Sequence, residues 1–261
     1  MKALTAGWLM LRGVGHVASG WWTIRTRFPQ LTQAEREARV QQWAARFLQI
    51  WRIELDVRGQ PPRSGPMLMV ANHISWLDIL VLHAAGYCRF VSKSDVKRWP
   101  VIGPLATGAG TLYIERESRR DAMRVVHHMR DALRRGEVVA AFPEGTTSNG
   151  LQLLPFHANL IQAAIATPAP VQPVALQFLD KASGEISLAP CYIGDESLLA
   201  SVWRTLTTPG VQAVAPDAAE QRVSNLSRAY RVNLTVLALV ALFVGAFLVY
   251  AVVSLSLAQR M

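Results

Sequence analysis

The chain has 261 residues, 51% of them hydrophobic, which suffices for one sizeable α/β domain with appendages. Its formal net charge of +9 calls for an anionic partner. The basic residues are scattered among tryptophans and apolar segments rather than gathered in runs, which argues against nucleic acid and for an acidic membrane surface. Cys88 and Cys191 stand far apart with no C-x-x-C, so they form neither a zinc motif nor a disulfide framework, and a reducing compartment is expected.

Residues 1–24 are apolar but interrupted by Arg12 and His16. Each uninterrupted piece falls short of the roughly 20 apolar residues a span needs, and Arg12 cuts the apolar region of a would-be signal peptide. A capping box, Thr32-Gln-Ala-Glu35, then opens a helix with Val40, Trp43, Phe47 and Trp51 on one face. Five of the eight tryptophans, Trp8, Trp21, Trp22, Trp43 and Trp51, lie in these first 51 residues. Because indole is apolar yet carries an N–H that needs a partner, residues 1–55 read as a helical hairpin lying on or dipping into a bilayer. The alternative is a helix pair packed on the domain.

Residues 56–204 alternate short apolar runs with helical patterns, as α/β domains do. The predicted strands are 66–71, 89–93, 111–115, 137–142 and 171–178; a helix is predicted over 118–135, capped by Ser118 and followed by Gly136. Polar or glycine-rich stretches stand at several strand ends, where sites in α/β sheets gather. The first is Asn72-His73 with Asp78 five residues after the His. On a regular helix that offset turns the side chains about 140° apart, so they meet only if a helix starts between them and the His folds back. Ser75-Trp-Leu-Asp78 supplies a start by matching the capping-box pattern, which leaves two readings: a base with its orienting carboxylate, or a helix cap beside a loop histidine. Lys93 ends one strand and Arg116 follows another; Arg116, whose fork of donors suits phosphate, is the sharper anion-binding candidate. Phe142-Pro143-Glu144-Gly145-Thr146-Thr147-Ser148 closes a buried strand with a tight turn. His127 and His128 are adjacent on a helix, point apart and read as structural; no metal-ligand cluster and no G-x-S-x-G elbow occur.

Beyond the domain, 205–231 reads as a linker rich in Thr, Pro, Gly and Ala. Residues 232–257 carry no charge and, at about 1.5 Å per residue, exceed a hydrocarbon core of about 30 Å, so a transmembrane helix is expected. Arg222, Arg228 and Arg231 precede it and only Arg260 follows, which puts the main domain on the cytoplasmic side of the inner membrane.

Taken together and in this order, the motifs resemble those of the glycerolipid acyltransferase family, in particular its bacterial 1-acyl-sn-glycerol-3-phosphate acyltransferases. N-H-x4-D is met by Asn72, His73 and Asp78; G-x-x-F/Y-I-x-R by Gly110, Tyr113, Ile114 and Arg116; F-P-E-G-T-x-S by Phe142 to Ser148; and the V/I-P-V strand by Pro173-Val174, with Gln172 at the aliphatic position. The likeness covers about residues 30–205. It implies a mixed sheet flanked by helices, no cofactor, and acyl transfer from acyl-CoA or acyl-carrier protein to a membrane lysophospholipid. His73 would be the base and Asp78 its orienter, with the substrate hydroxyl where a serine protease has its serine. Arg116 would hold a phosphate; Gly110, Glu144, Gly145 and Thr146 would build the acceptor pocket and Lys93 add charge. Lysophosphatidic acid is the expected acceptor, with a lyso-ornithine lipid or another lysolipid as the alternative. A non-catalytic lipid-binding protein of the same fold is the rival of another class.

Overall fold

The computed structural model describes residues 2–62, 64–114, 119–208 and 210–215. The span expected at 232–257 and Arg116 therefore lie outside the described residues. No helix among the described residues is long and apolar enough to cross a membrane.

Five short strands form the main sheet: β2 (Met67–Ala71), β3 (Arg89–Lys93), β4 (Leu112–Ile114), β5 (Val138–Ala141) and β6 (Val171–Val174). Their order is β4-β3-β5-β2-β6 and every pairing is parallel. The period of two is visible in the core. Met69, Ala71, Val138 and Ala140 face one apolar cluster, and Leu68, Val70, Val139 and Ala141 face the other. Burial on both faces is why these strands read as unbroken apolar runs. The first face is covered by α2 (Gln33–Ile50) and α3 (Leu77–Ala85), the second by α5 (Arg119–Arg134) and the short α6 (Gln162–Ile165). The helix expected over 118–135 is α5, followed by Gly136 with φ 78°; its expected cap, Ser118, lies outside the described residues. A short helix, α4 (Ile102–Gly108), precedes β4.

The mixed pairing expected of the main sheet occurs instead in a second, three-stranded one. It joins β1 (Glu54–Val57), β8 (Val211–Ala215) and β7 (Gln177–Asp180), in the order β1-β8-β7, with β1–β8 parallel and β7–β8 antiparallel. Two expectations change with it. The run 171–178 is not one strand, since it leaves the main sheet after Val174 and joins the small one at Gln177. The linker expected at 205–231 is structured at its start, where α7 (Leu198–Thr207) ends and β8 buries Val211, Ala213 and Val214. The domain boundaries expected at 56 and 204 accordingly cut through β1 and α7.

The N-terminal helices are α1 (Lys2–Thr26) and α2, which opens on the expected capping box: Thr32 N–H donates to Glu35 at 2.8 Å. Two of the tryptophans expected at a membrane interface are packed between helices. Trp51 is buried and donates to Leu9 O at 3.1 Å; Trp43 donates to His16 O at 3.1 Å and stacks on its ring. Buried Gly13 and Gly20 seat these indoles, for a Cβ there would lie 2.4 and 2.5 Å from the respective indole nitrogens. Trp8 and Trp22 remain exposed on the opposite face of α1 with Leu4 and Leu11.

Candidate active site

All five main-sheet strands run the same way, so the loops at their C-terminal ends collect at one edge. Asn72 and His73 come directly after β2, Phe142 to Ser148 after β5, and Ala175-Leu176 after β6. His73 and Asp78 do meet, with Nδ1 2.8 Å from Oδ2. The helix α3 begins between them, at Leu77, and His73 folds back over its start. The same Oδ2 accepts the backbone N–H groups of Ile74 (2.6 Å) and Ser75 (2.9 Å), while Ser75 Oγ accepts from Leu77 N–H. Asp78 therefore both satisfies the helix entry and holds the histidine ring, so its part at the helix start does not exclude the contact with His73. A carboxylate oxygen can only accept, so the facing ring nitrogen, Nδ1, carries the proton.

Asp78 is fully buried, and its Oδ1 makes no hydrogen bond among the described residues. The imidazole stacks on Phe142 at 4.0 Å and 8°, and its side chain keeps 19% exposure, enough for one edge to face outward. Three further bonds fix the main chain of His73: its N–H donates to Glu144 Oε1 at 3.0 Å, and its carbonyl accepts Ser148 N–H at 2.8 Å and Ser148 Oγ at 3.4 Å. Glu144, expected in the acceptor pocket, is buried and spends Oε2 on Leu154 N–H at 3.2 Å. It ties motifs together rather than offering a free carboxylate. Gly145 turns the chain at φ 70°, which favours glycine. Thr146 is exposed beside it, and Lys93 is exposed at the same sheet edge, at the end of β3.

Gly110 is elsewhere. It precedes β4, whose parallel register with β3 puts it at the opposite edge, where its carbonyl accepts from Arg89 Nε at 2.6 Å and a Cβ would meet Tyr87 Oη at 2.7 Å. Its φ of 80° and this crowding explain the glycine as a turn residue, which corrects its expected place in the acceptor pocket. Asn72 is a link that sequence reasoning missed: its side chain accepts from Leu176 N–H at 2.6 Å and donates to Leu176 O at 3.0 Å. It thus holds the point where the chain passes from β6 to β7. Burial raises the pKa of both thiols, Cys88 and Cys191, which disfavours a thiolate nucleophile at either. Among the described residues no group of three or more His, Cys, Asp or Glu is placed to hold a metal ion.

The Acyltransferase family model matches residues 52–177, the stretch that carries this edge. A lyso-ornithine lipid O-acyltransferase of Pseudomonas aeruginosa is 38% identical over 199 residues, 76% of this chain and 75% of that protein. The chain belongs to the acyltransferase family. A 1-acyl-sn-glycerol-3-phosphate acyltransferase of Neisseria gonorrhoeae is 41% identical to this acyltransferase over 156 residues, 59% of this chain and 60% of that one. The crystal structure of the 1-acyl-sn-glycerophosphate (LPA) acyltransferase PlsC from Thermotoga maritima shares the fold, with a TM-score of 0.52 at 18% identity over 68% of this chain and 76% of that one.

Proposed function

We propose that this acyltransferase esterifies a lysolipid hydroxyl with the acyl group of acyl-CoA or acyl-carrier protein, His73 serving as general base. The observation that carries the proposal is the 2.8 Å His73–Asp78 contact, which leaves Nε2 free at the edge of the sheet. Nε2 takes the proton of the acceptor hydroxyl as its oxygen attacks the thioester carbonyl. The tetrahedral adduct then collapses, the C–S bond breaks, and the imidazolium returns the proton to the departing thiolate. Asp78 stabilises the imidazolium between these steps. No acyl-enzyme is needed.

The acceptor we favour is 1-acyl-sn-glycerol-3-phosphate, giving phosphatidic acid. Arg116, by resemblance to the family motif, would hold its phosphate, and Lys93, at the same sheet edge, would add charge. A lyso-ornithine lipid is the second reading, supported by the longer match to the Pseudomonas protein. The site is proposed to work at the cytoplasmic face of the inner membrane, where both acceptors reside. Supporting this are the exposed Leu4, Trp8, Leu11 and Trp22 of α1, the excess of basic residues, and the uncharged run 232–257. The test is turnover by purified protein with each lysolipid, offered acyl-CoA and acyl-carrier protein in parallel. Phosphatidic acid formation lost in His73→Ala supports the proposal; acylation of the ornithine lipid alone selects the second reading, and turnover unchanged in His73→Ala sinks the base assignment.

A further inference from the structure

Beyond the family match at 52–177 lies a strap, residues 189–196, that leads into α7. Its Tyr192 joins two motif loops through main-chain atoms. Tyr192 N–H donates to Ile74 O at 3.0 Å, next to His73, and Tyr192 O accepts the hydroxyl of Thr147. Main-chain bonds of this kind hold only if the strap itself is held. Arg204, on α7, holds it: Nε donates to Ala189 O at 2.9 Å, one terminal nitrogen donates to Cys191 O, and the terminal nitrogens form a fork on Glu196. The helix has its own tie to the first motif, since fully buried Ser201 accepts the Trp76 indole N–H at 3.2 Å.

We propose that Arg204 is a positioning residue for acyl transfer, acting through the Ala189 and Cys191 carbonyls and the Tyr192 main chain to keep the His73 loop and the Phe142–Ser148 turn in register. It rests on the acyl-transfer reading and adds to it a residue outside the four motifs. The guanidinium makes four bonds here, to two carbonyls and both oxygens of a carboxylate, whereas an ammonium has three donors on one nitrogen, so lysine cannot replace it.

Four variants test the proposal: Arg204→Met removes the carbonyl bonds, Arg204→Lys keeps only the charge, Glu196→Gln keeps the carbonyl bonds, and Thr147→Val cuts the strap from the turn without touching Arg204. Arg204→Met, Arg204→Lys and Thr147→Val are expected to lower kcat about tenfold or more, with the KM of the acceptor within about twofold; such a loss is what misplacing a catalytic group by a fraction of an ångström produces. Glu196→Gln is expected to keep kcat near wild type. A measurement without substrate runs alongside: carbethoxylation of His73, read by mass spectrometry on the peptide that contains it, should quicken severalfold in Arg204→Met as the ring loosens. Lower Tm with unchanged kcat in Thr147→Val and in folded Arg204→Met, and unchanged His73 modification, would overturn the proposal. Failure of the acyl-transfer reading looks different: His73→Ala would keep its turnover whatever the Arg204 variants did.

Discussion

The backbone N–H of His73 and the carboxylate of Glu144, 71 residues apart, are joined by a 3.0 Å hydrogen bond that fastens the first motif to the third. The other carboxylate oxygen takes Leu154 N–H. Both oxygens thus face donors, and a carboxylate is the one side chain of this size that can accept at both. Glu144→Gln turns one acceptor into an NH2 facing an N–H. One buried donor is then left without a partner, at a cost of about 1–3 kcal/mol. The expected outcome is a lower Tm and a kcat reduced more than the acceptor KM is raised, checked by steady-state kinetics below the unfolding transition. A large rise in KM with unchanged kcat would return Glu144 to the acceptor pocket.

Asp78→Asn separates the two duties of that residue. An amide oxygen can take the place of Oδ2 and still accept from Ile74 and Ser75, so the entry to α3 survives. What is lost is the negative charge that the proposed mechanism uses to stabilise the protonated base, and the new NH2 points into the buried space that Oδ1 occupies without a partner among the described residues. Turnover should fall by at least about 10²-fold, the lower end of what general-base catalysis contributes, while the far-UV spectrum stays native. Near-wild-type turnover would leave Asp78 as a cap alone.

Much of this arrangement could be read from the sequence. The strands 67–71 and 138–141 announce themselves as β-branched and apolar runs because both their faces are buried, and α5 shows its period and the glycine after it. The meeting of His73 with Asp78 was legible only as an alternative, since spacing cannot say whether a loop folds back. What stayed hidden depends on partners far along the chain. β1 is four residues long, includes two acids, and finds its neighbour β8 more than 150 residues later in a stretch of small residues. The pair of hydrogen bonds between Asn72 and Leu176 and the four-way grip of Arg204 leave no local pattern at all. Gly110 misled because its motif position implied a ligand where its φ and the Tyr87 hydroxyl already account for it.

His83 makes stability fall with acid. It lies near the end of α3, edge-on to Phe90 and beside Tyr87, with Nδ1 unpartnered among the described residues. Burial lowers its pKa from 6.5 to about 4. The unfolded chain therefore binds a proton that the folded chain refuses between those values. This group's contribution is fully present above pH 6.5 and is lost as pH falls towards 4, up to about 3 kcal/mol at 1.36 kcal/mol per unit. His83→Phe keeps a ring in the aromatic cluster and removes the titration. Thermal melts from pH 7 to pH 4 should show a shallower decline of Tm for the variant than for wild type; parallel curves would remove His83 as a source of acid sensitivity.

Gly13 and Gly15 stand two residues apart on α1 and should respond to alanine with opposite signs. Helix propensity favours alanine at both by about 0.5–1 kcal/mol. At Gly15 nothing lies within 4 Å of the added Cβ, so propensity decides and Gly15→Ala raises Tm. At Gly13 the Cβ would sit 2.4 Å from Trp51 Nε1 and 2.9 Å from Cε2. The indole cannot easily yield. It is buried, donates to Leu9 O, and packs on Phe47 at 4.5 Å and edge-on against Trp76 at 5.5 Å. Overpacking of about 1–3 kcal/mol then outweighs propensity, and Gly13→Ala lowers Tm. Because Trp76 lies between His73 and Asp78, at the start of α3, a displaced Trp51 pushes on the site as well, so Gly13→Ala should also lose turnover at a temperature where it is folded. Differential scanning calorimetry of both variants with paired kinetics checks each part. A stabilised Gly13→Ala would mean that α1 does not press on Trp51 in solution.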